Sequence, residues 1–212
     1  MADDKINLRQ ILQECRAALS AARAEELSRA VQQRVLALDR YRSASTVVLY
    51  AAKDNEVLTE RILAHALSSG RVVYYPKLDL CKDQLVLVRV SNPATELQPG
   101  AYGIREPIGT DTLNPSALDD ALVCVPGLGF DPSGQRLGRG GGHYDRLIAY
   151  LGPTATTVGL AYSFQLLEAL PNQPHDQRLD FVITESAVHI AGRSRSGAWS
   201  QAREGGVPRC NC

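Results

Sequence analysis

A chain of 212 residues with 23 Lys+Arg against 23 Asp+Glu has the length for one folded domain and no net charge. That balance argues against a duplex nucleic-acid binder, which usually carries a basic excess, and no apolar run reaches the ~20 residues of a membrane span. A hydrophobic fraction of 44% is enough for a sizeable core.

The cysteines, Cys15, Cys81, Cys124, Cys210 and Cys212, form no Cys-x-x-Cys pair, so reduced thiols are expected rather than a disulfide framework or a zinc site. Met1-Ala2-Asp3-Asp4-Lys5 offers no apolar signal core. The expectation is a cytoplasmic monomer acting on a small molecule, with neither nucleic acid nor membrane as partner.

In chain order, Leu8, Ile11, Leu12, Cys15 and Leu19 recur at helical spacing, and Ser20 is a stop and cap. Leu27, Ala30, Val31, Val35 and Leu38 continue in a second helix. Thr46 to Tyr50 is a buried-type strand. A helix from Thr59 to Ser69 ends at Gly70, a strand from Val72 to Tyr75 is closed by Pro76, and Leu85 to Val90 forms another. Ser91–Ser116, with Pro93, Pro99, Pro107 and Pro115, reads as mostly loop. Ala121 to Val125 is a strand stopped by Pro126, and a helix follows from Asp145 to Leu151. Strands at Thr156–Ala161 and Leu179–Thr184 flank a short helix near Phe164–Leu170. Residues 1–191 are read as a single α/β catalytic domain and 192–212 as a disordered tail. Apolar strands alternating with helices predict a mostly parallel sheet covered on both faces. Ligands in such sheets sit beyond the carboxyl ends of strands, here after Tyr50, Tyr75 and Val125.

The segment that carries chemistry is Pro126–Arg146. Gly138, Gly140, Gly141 and Gly142 leave backbone N–H groups uncovered, able to converge on phosphate oxygens with the following helix behind them. Arg136 and Arg139 add planar forks suited to phosphate. Asp145, at the helix start, suits Mg²⁺ or an amide cap. Gly129 and Gly134 have Walker-A spacing, but Gln135-Arg136 stands where Lys-Ser/Thr is required, and the third glycine of a dinucleotide fingerprint is missing. A bare glycine run also fits a surface turn; the flanking arginines, strand and helix favour phosphate handling. Lys5, Arg9 and Arg16 share one side of the first helix beside its apolar stripe, as cleft-lining or snorkelling cations would.

The run Arg136-Leu137-Gly138-Arg139-Gly140-Gly141-Gly142-His143-Tyr144-Asp145-Arg146 resembles the signature of the 5-formyltetrahydrofolate cyclo-ligase family. Lys5-Ile6-Asn7-Leu8-Arg9, Asn55-Glu56-Val57-Leu58-Thr59, Gly100–Pro107, Pro126–Asp131 and His175–Asp180 resemble its other elements in order. The resemblance implies a three-layer α/β/α fold with a mostly parallel sheet, similar to the sugar-phosphate isomerase and CoA-transferase type. It implies an ATP-dependent ligase that closes 5-formyltetrahydrofolate to 5,10-methenyltetrahydrofolate, with ATP and Mg²⁺ as cofactors. Lys5, Arg9, Arg136, Gly138, Arg139, Gly140, Gly141, Gly142 and Tyr144 would contact ATP, with Arg136, Arg139 and Tyr144 as the catalytic set. Ala51, Glu56 and Tyr102 would bind the folate, Glu56 by accepting the pterin N–H groups. Asp145 and Asp176 would hold Mg²⁺. Two positions depart from the pattern: His143 stands where the family usually has tyrosine, and Leu78 where relatives can carry an aromatic. The rival readings are a folate- or nucleotide-binding protein and another phosphate-handling enzyme of the same fold.

Overall fold

The computed structural model describes residues 2–100 and 103–192. The tail expected from Gly192 on lies outside the described residues except for Gly192 itself, and so does Tyr102. Two helices open the chain, α1 (Ala2–Ala17) and α2 (Ala21–Ala37), followed by the short α3 (Asp39–Ser43). Ser20 caps α2 as its sequence suggests: its Oγ accepts from the Arg23 amide at 3.2 Å.

The centre is an eight-stranded sheet. Its strands are β1 (Thr46–Val48), β2 (Val72–Asp79), β3 (Gln84–Arg89), β6 (Thr112–Leu113), β7 (Ala121–Val125), β10 (Thr156–Leu160), β11 (Phe181–Ile183) and β12 (Val188–Ile190). The spatial order is β12-β11-β10-β7-β1-β2-β3-β6. The run from β11 to β2 is parallel throughout, and β12, β3 and β6 add antiparallel edges. Both faces are covered, so the strands alternate between two apolar cores. Val47, Leu49, Leu122 and Cys124 face the core under α2 and α4 (Glu60–Ser68), while Val48, Val123 and Val125 face the core under α6 (His143–Ala149). This is the three-layer α/β/α arrangement. Gly70, at φ 74°, ends α4 in the left-handed region. Cys15, Cys81 and Cys124 are free thiols, and burial pushes Cys124 up to about 12.

Two expectations need correction and a third needs refinement. Strand β2 does not stop at Pro76 but continues to Asp79, paired with β3. Its pairing with β1 ends at Tyr74, whose carbonyl accepts from Leu49 N, and Pro76 points its missing N–H toward that same unpaired side. The stretch Ser91–Ser116 is not loop throughout. It holds α5 (Pro93–Glu96), the hairpin β4 (Leu97–Pro99) with β5 (Arg105–Pro107), and β6. The helix expected near Phe164–Leu170 is a single 3₁₀ turn, Ser163–Gln165.

Candidate active site

Strands β1 and β7 lie side by side, but the chain leaves them in opposite directions, β1 toward β2 and β7 toward β10. Such a switch opens a crevice at the carboxyl ends of the strands. There a cleft of about 580 Å³ is lined from the β1 side by Tyr50, Ala51, Lys53 and Glu56, and from the β7 side by Pro126 and Gly127. Arg136, Gly138, Arg139, Gly141, His143 and Tyr144 form its glycine-rich wall.

The β1 side is built by a tight turn. Asp54 and Asn55 take φ values of 50° and 57°, and Asn55 Nδ2 donates to the carbonyls of Arg16 and Leu19. The turn brings Glu56 inward until it is 8% exposed, with Oε2 accepting from the Lys53 amide at 3.1 Å. Its Oε1 accepts from Arg139 Nη2 at 3.3 Å and lies 3.7 Å from Arg16 Nη1. Arg139 also donates to Asp54 at 3.0 Å. Burial lowers the Arg139 pKa, but Glu56 and Asp54 reverse this and raise it above its ordinary value.

The opposite wall rests on the hairpin β8 (Gly129–Phe130) and β9 (Arg136–Leu137). Asp131 fixes its turn: Oδ1 accepts from Ser133 N, Ser133 Oγ and Gln135 N, and Oδ2 from Leu170 N. Leu12 of α1 packs on Leu128 and Leu137. The hairpin delivers Arg136, whose side chain is 4% exposed and whose Nη2 donates to Asp145 at 2.8 Å. Its guanidinium carbon stands 5.6 Å from the centre of the Tyr144 ring, and its Nε is buried without a hydrogen-bond partner. Burial, the largest cause, and nearby Glu56 raise the Tyr144 phenol well above its ordinary pKa, so it stays neutral. Gly140 and Gly142 have φ of 110° and 65°, turns a side chain would strain.

Helix α1 reaches the same region. Arg9 Nε donates to Gly138 O at 2.9 Å, and Lys5 Nζ to Asp176 Oδ2 at 2.8 Å. Asp145 Oδ1 accepts from Gln177 N, so the two aspartates sit on adjoining segments, each with a cation partner. Among the described residues no group of three His, Cys, Asp or Glu side chains gathers as a metal cage would.

A family model described as the 5-formyltetrahydrofolate cyclo-ligase family matches residues 1–185. The chain belongs to the 5-formyltetrahydrofolate cyclo-ligase family. It is 30% identical over 197 residues to the mouse 5-formyltetrahydrofolate cyclo-ligase, covering 86% of this chain and 94% of that one. Against the Escherichia coli K12 cyclo-ligase it is 32% identical over 181 residues, covering 84% and 98%. The fold matches 5,10-methenyltetrahydrofolate synthetase from Aquifex aeolicus with a TM-score of 0.76 at 32% identity, covering 94% of this chain and 98% of that one. The Mycoplasma pneumoniae synthetase matches with 0.69 at 27% identity, covering 86% and 99%. This cyclo-ligase family member is therefore a ligase-family enzyme with the α/β/α fold expected of it.

Of the residues singled out from the sequence, Ala51, Glu56, Arg136, Gly138, Arg139, Gly141 and Tyr144 line the one cleft. Lys5, Arg9, Gly140, Gly142, Asp145 and Asp176 stand outside that lining, the two glycines within the wall's own segment and the others tied to it or to one another by the bonds above. His143 lines the cleft too, with Nε2 3.0 Å from Asp83 Oδ1 on the β2–β3 turn. Leu78 stands in the lining as well. Sequence reasoning left out Lys53 and Asp54, and it grouped Arg16 with Lys5 and Arg9 without seeing that it pairs with Glu56. The helical register of these cations was the available signal, and the Asp54-Asn55 pair, residues that tolerate the left-handed region, was the signal for the turn.

Proposed function

We propose that this chain is an ATP-dependent ligase that closes 5-formyltetrahydrofolate to 5,10-methenyltetrahydrofolate and releases ADP and phosphate. The observation that supports this reading is the meeting of two chemically different walls across one cleft. A glycine-rich wall with Arg136 and Arg139 faces the buried carboxylate of Glu56. The first suits phosphates and the second suits the adjacent N–H donors of a pterin.

The formyl oxygen is a poor leaving group. In this reading it attacks the γ-phosphorus of ATP and ADP departs. N10 then adds to the activated formyl carbon, the C–O bond breaks, and phosphate leaves with the N10 proton. The protein's task is alignment, charge neutralisation and exclusion of water. Lys5, Arg9 and the amides of Gly138, Gly140, Gly141 and Gly142 bind the nucleotide phosphates. Arg136, braced by Asp145, supplies a fixed charge, and Arg139, 41% exposed, is the arginine able to follow the transferring group. Tyr144 bounds the site as a neutral ring, and Ala51 borders the folate. Asp145 and Asp176 fit Mg²⁺ in chemistry, being oxygen donors beside the phosphate-binding wall, and such a cation usually takes one or two carboxylates plus phosphates and waters. Bound there, it would neutralise charge on the phosphate oxygens.

A cytoplasmic location belongs to the same reading, supported by the exposed free thiols of Cys15 and Cys81, and a monomeric state is proposed with it. No helix among the described residues is long and apolar enough to cross a membrane. The decisive experiment is an absorbance assay for methenyltetrahydrofolate with ADP measured in parallel. Both products are expected in equal amounts and only when ATP is present; no ATP-dependent product would defeat the reading.

A further inference from the structure

Glu56 is paired with two arginines of very different freedom. Arg139 is 41% exposed, lies between Gly138 and Gly140, and divides its Nη2 between Asp54 and Glu56. Arg16 is 2% exposed and does not line the cleft. Its Nη1 donates to Gly127 O at 3.3 Å, after β7, and its own carbonyl accepts from Asn55 Nδ2 at 3.2 Å, after β1. It is thus fastened to both loops that meet at the switch in the sheet. Its Nε has no partner. An arginine kept only as a brace would have its buried donors met by backbone oxygens; this one turns a charge toward Glu56 and leaves a donor over.

The two arginines cannot serve the same purpose during turnover. If Arg139 follows the phosphoryl group, it gives up Glu56 at the moment the pterin needs a carboxylate there. A buried carboxylate that loses its counter-ion tends to take up a proton, and a protonated acid no longer accepts two N–H groups. We propose that Arg16 is a positioning residue for the folate, the fixed counter-ion that keeps Glu56 ionised and so frees Arg139 to exchange its carboxylate for phosphate. This rests on the reading of Glu56 as the acceptor of the pterin N–H donors.

The other cations of the cleft are engaged elsewhere: the Lys53 ammonium stands 4.0 Å from Asp54 Oδ2, and Arg136 is held on Asp145. On Oε2 stands the Lys53 backbone amide, and Asp54 sits on the other side of Arg139. The Tyr162 hydroxyl reaches only the Glu56 main-chain oxygen, at 3.4 Å. The phenols of Tyr50 and Tyr144 are kept neutral by burial. Burial also lowers the Arg16 pKa while Glu56 raises it, and a guanidinium stays charged through the working range.

The test is calorimetric binding of 5-formyltetrahydrofolate from about pH 4 to about pH 8, with a non-hydrolysable ATP analogue at saturation to hold Arg139 on phosphate. Wild type should lose folate affinity only at the acid end of the range. Arg16→Met should move that loss upward by about one pH unit or more, and Arg16→Lys should bring it most of the way back. Arg139→Ala should leave the position of the loss unchanged, and Glu56→Gln should bind weakly with no dependence on pH. An Arg16→Met curve that falls where wild type falls would overturn the proposal. So would an Arg139→Ala curve displaced upward by about one pH unit, and this exposed variant decides alone if Arg16→Met does not fold. A wild type that does not bind 5-formyltetrahydrofolate would overturn the functional reading itself, whereas normal binding with an unmoved Arg16→Met curve overturns only the role of Arg16.

Discussion

Lys5 and Asp176 stand 171 positions apart in the chain and are joined by a 2.8 Å ion pair whose side chains are both mostly buried. The pair fastens α1 to the loop ahead of β11. Burial alone would raise the Asp176 pKa, but the hydrogen bond from Lys5 and the amide of Gln173 overcome it and hold the carboxyl below its ordinary value.

Lys5→Ala should therefore lower stability by about 1–2 kcal/mol in chemical denaturation, besides weakening nucleotide binding. Because the folded pKa of Asp176 is depressed, its contribution is complete above the unfolded value near ~3.9 and disappears as pH falls through the folded value. The stability gap between wild type and Asp176→Asn should accordingly close below about pH 4. A gap that persisted unchanged in acid would mean the carboxylate's charge is irrelevant to the tie.

Arg139→Ala should cut turnover by ~100-fold, since a charge-assisted contact to the transferring phosphoryl is lost. The side chain is 41% exposed, so the thermal midpoint should stay close to that of wild type. Near-normal turnover in steady-state kinetics would make Arg139 a surface cation.

For Glu56→Gln the expected loss is ~2–4 kcal/mol in kcat/KM for 5-formyltetrahydrofolate, because one acceptor becomes a donor facing donors. The structure adds a second effect. Arg16 is left buried without its counter-ion, so stability should fall as well, by about 1–3 kcal/mol. ATP affinity measured by calorimetry on the folded variant should change little; a parallel fall in ATP and folate affinity would identify the Asp54–Glu56 turn as structural.

Asp145→Asn should raise the Mg²⁺ concentration needed for half-maximal activity more than it raises the folate KM, as a hard cation prefers a full carboxylate. It also removes the negative partner of an arginine that is only 4% exposed. If Mg²⁺ titrations match wild type, Asp145 serves as the brace of Arg136 and nothing more.

The parallel sheet was legible because its strands are continuous apolar runs separated by helical periods. Thr46–Tyr50, Ala121–Val125 and Thr156–Ala161 each stand within two residues of the observed strand ends. The glycine-rich wall was legible from composition and flanks alone. The hairpin of β4 and β5 was not, because each strand has three residues, carries a proline, and is defined by pairing across the turn rather than by any local period. The place of Arg16 was half legible. Its register beside Lys5 and Arg9 marked it, but its burial depends on Glu56 and Gly127, which are remote in sequence and carry no local mark.

Helix α1 is synthesised ahead of the elements it docks on, and its side chains reach Gly127, Gly138 and Asp176 across sequence separations of 111, 129 and 171 residues. A nascent chain can pair β1 with β2 long before any of those anchors exists. Until then the early helix has only the Asn55–Glu56 turn to meet, and Lys5 and Arg9 wait for their partners until most of the sheet has been made, because such distant contacts close late. A chain arrested before residue 126 would keep that first β pairing but have no phosphate wall for α1 to join. Competence for chemistry thus arrives as a late docking event, and a bulky fusion at the amino terminus would impair the site before it impaired the sheet.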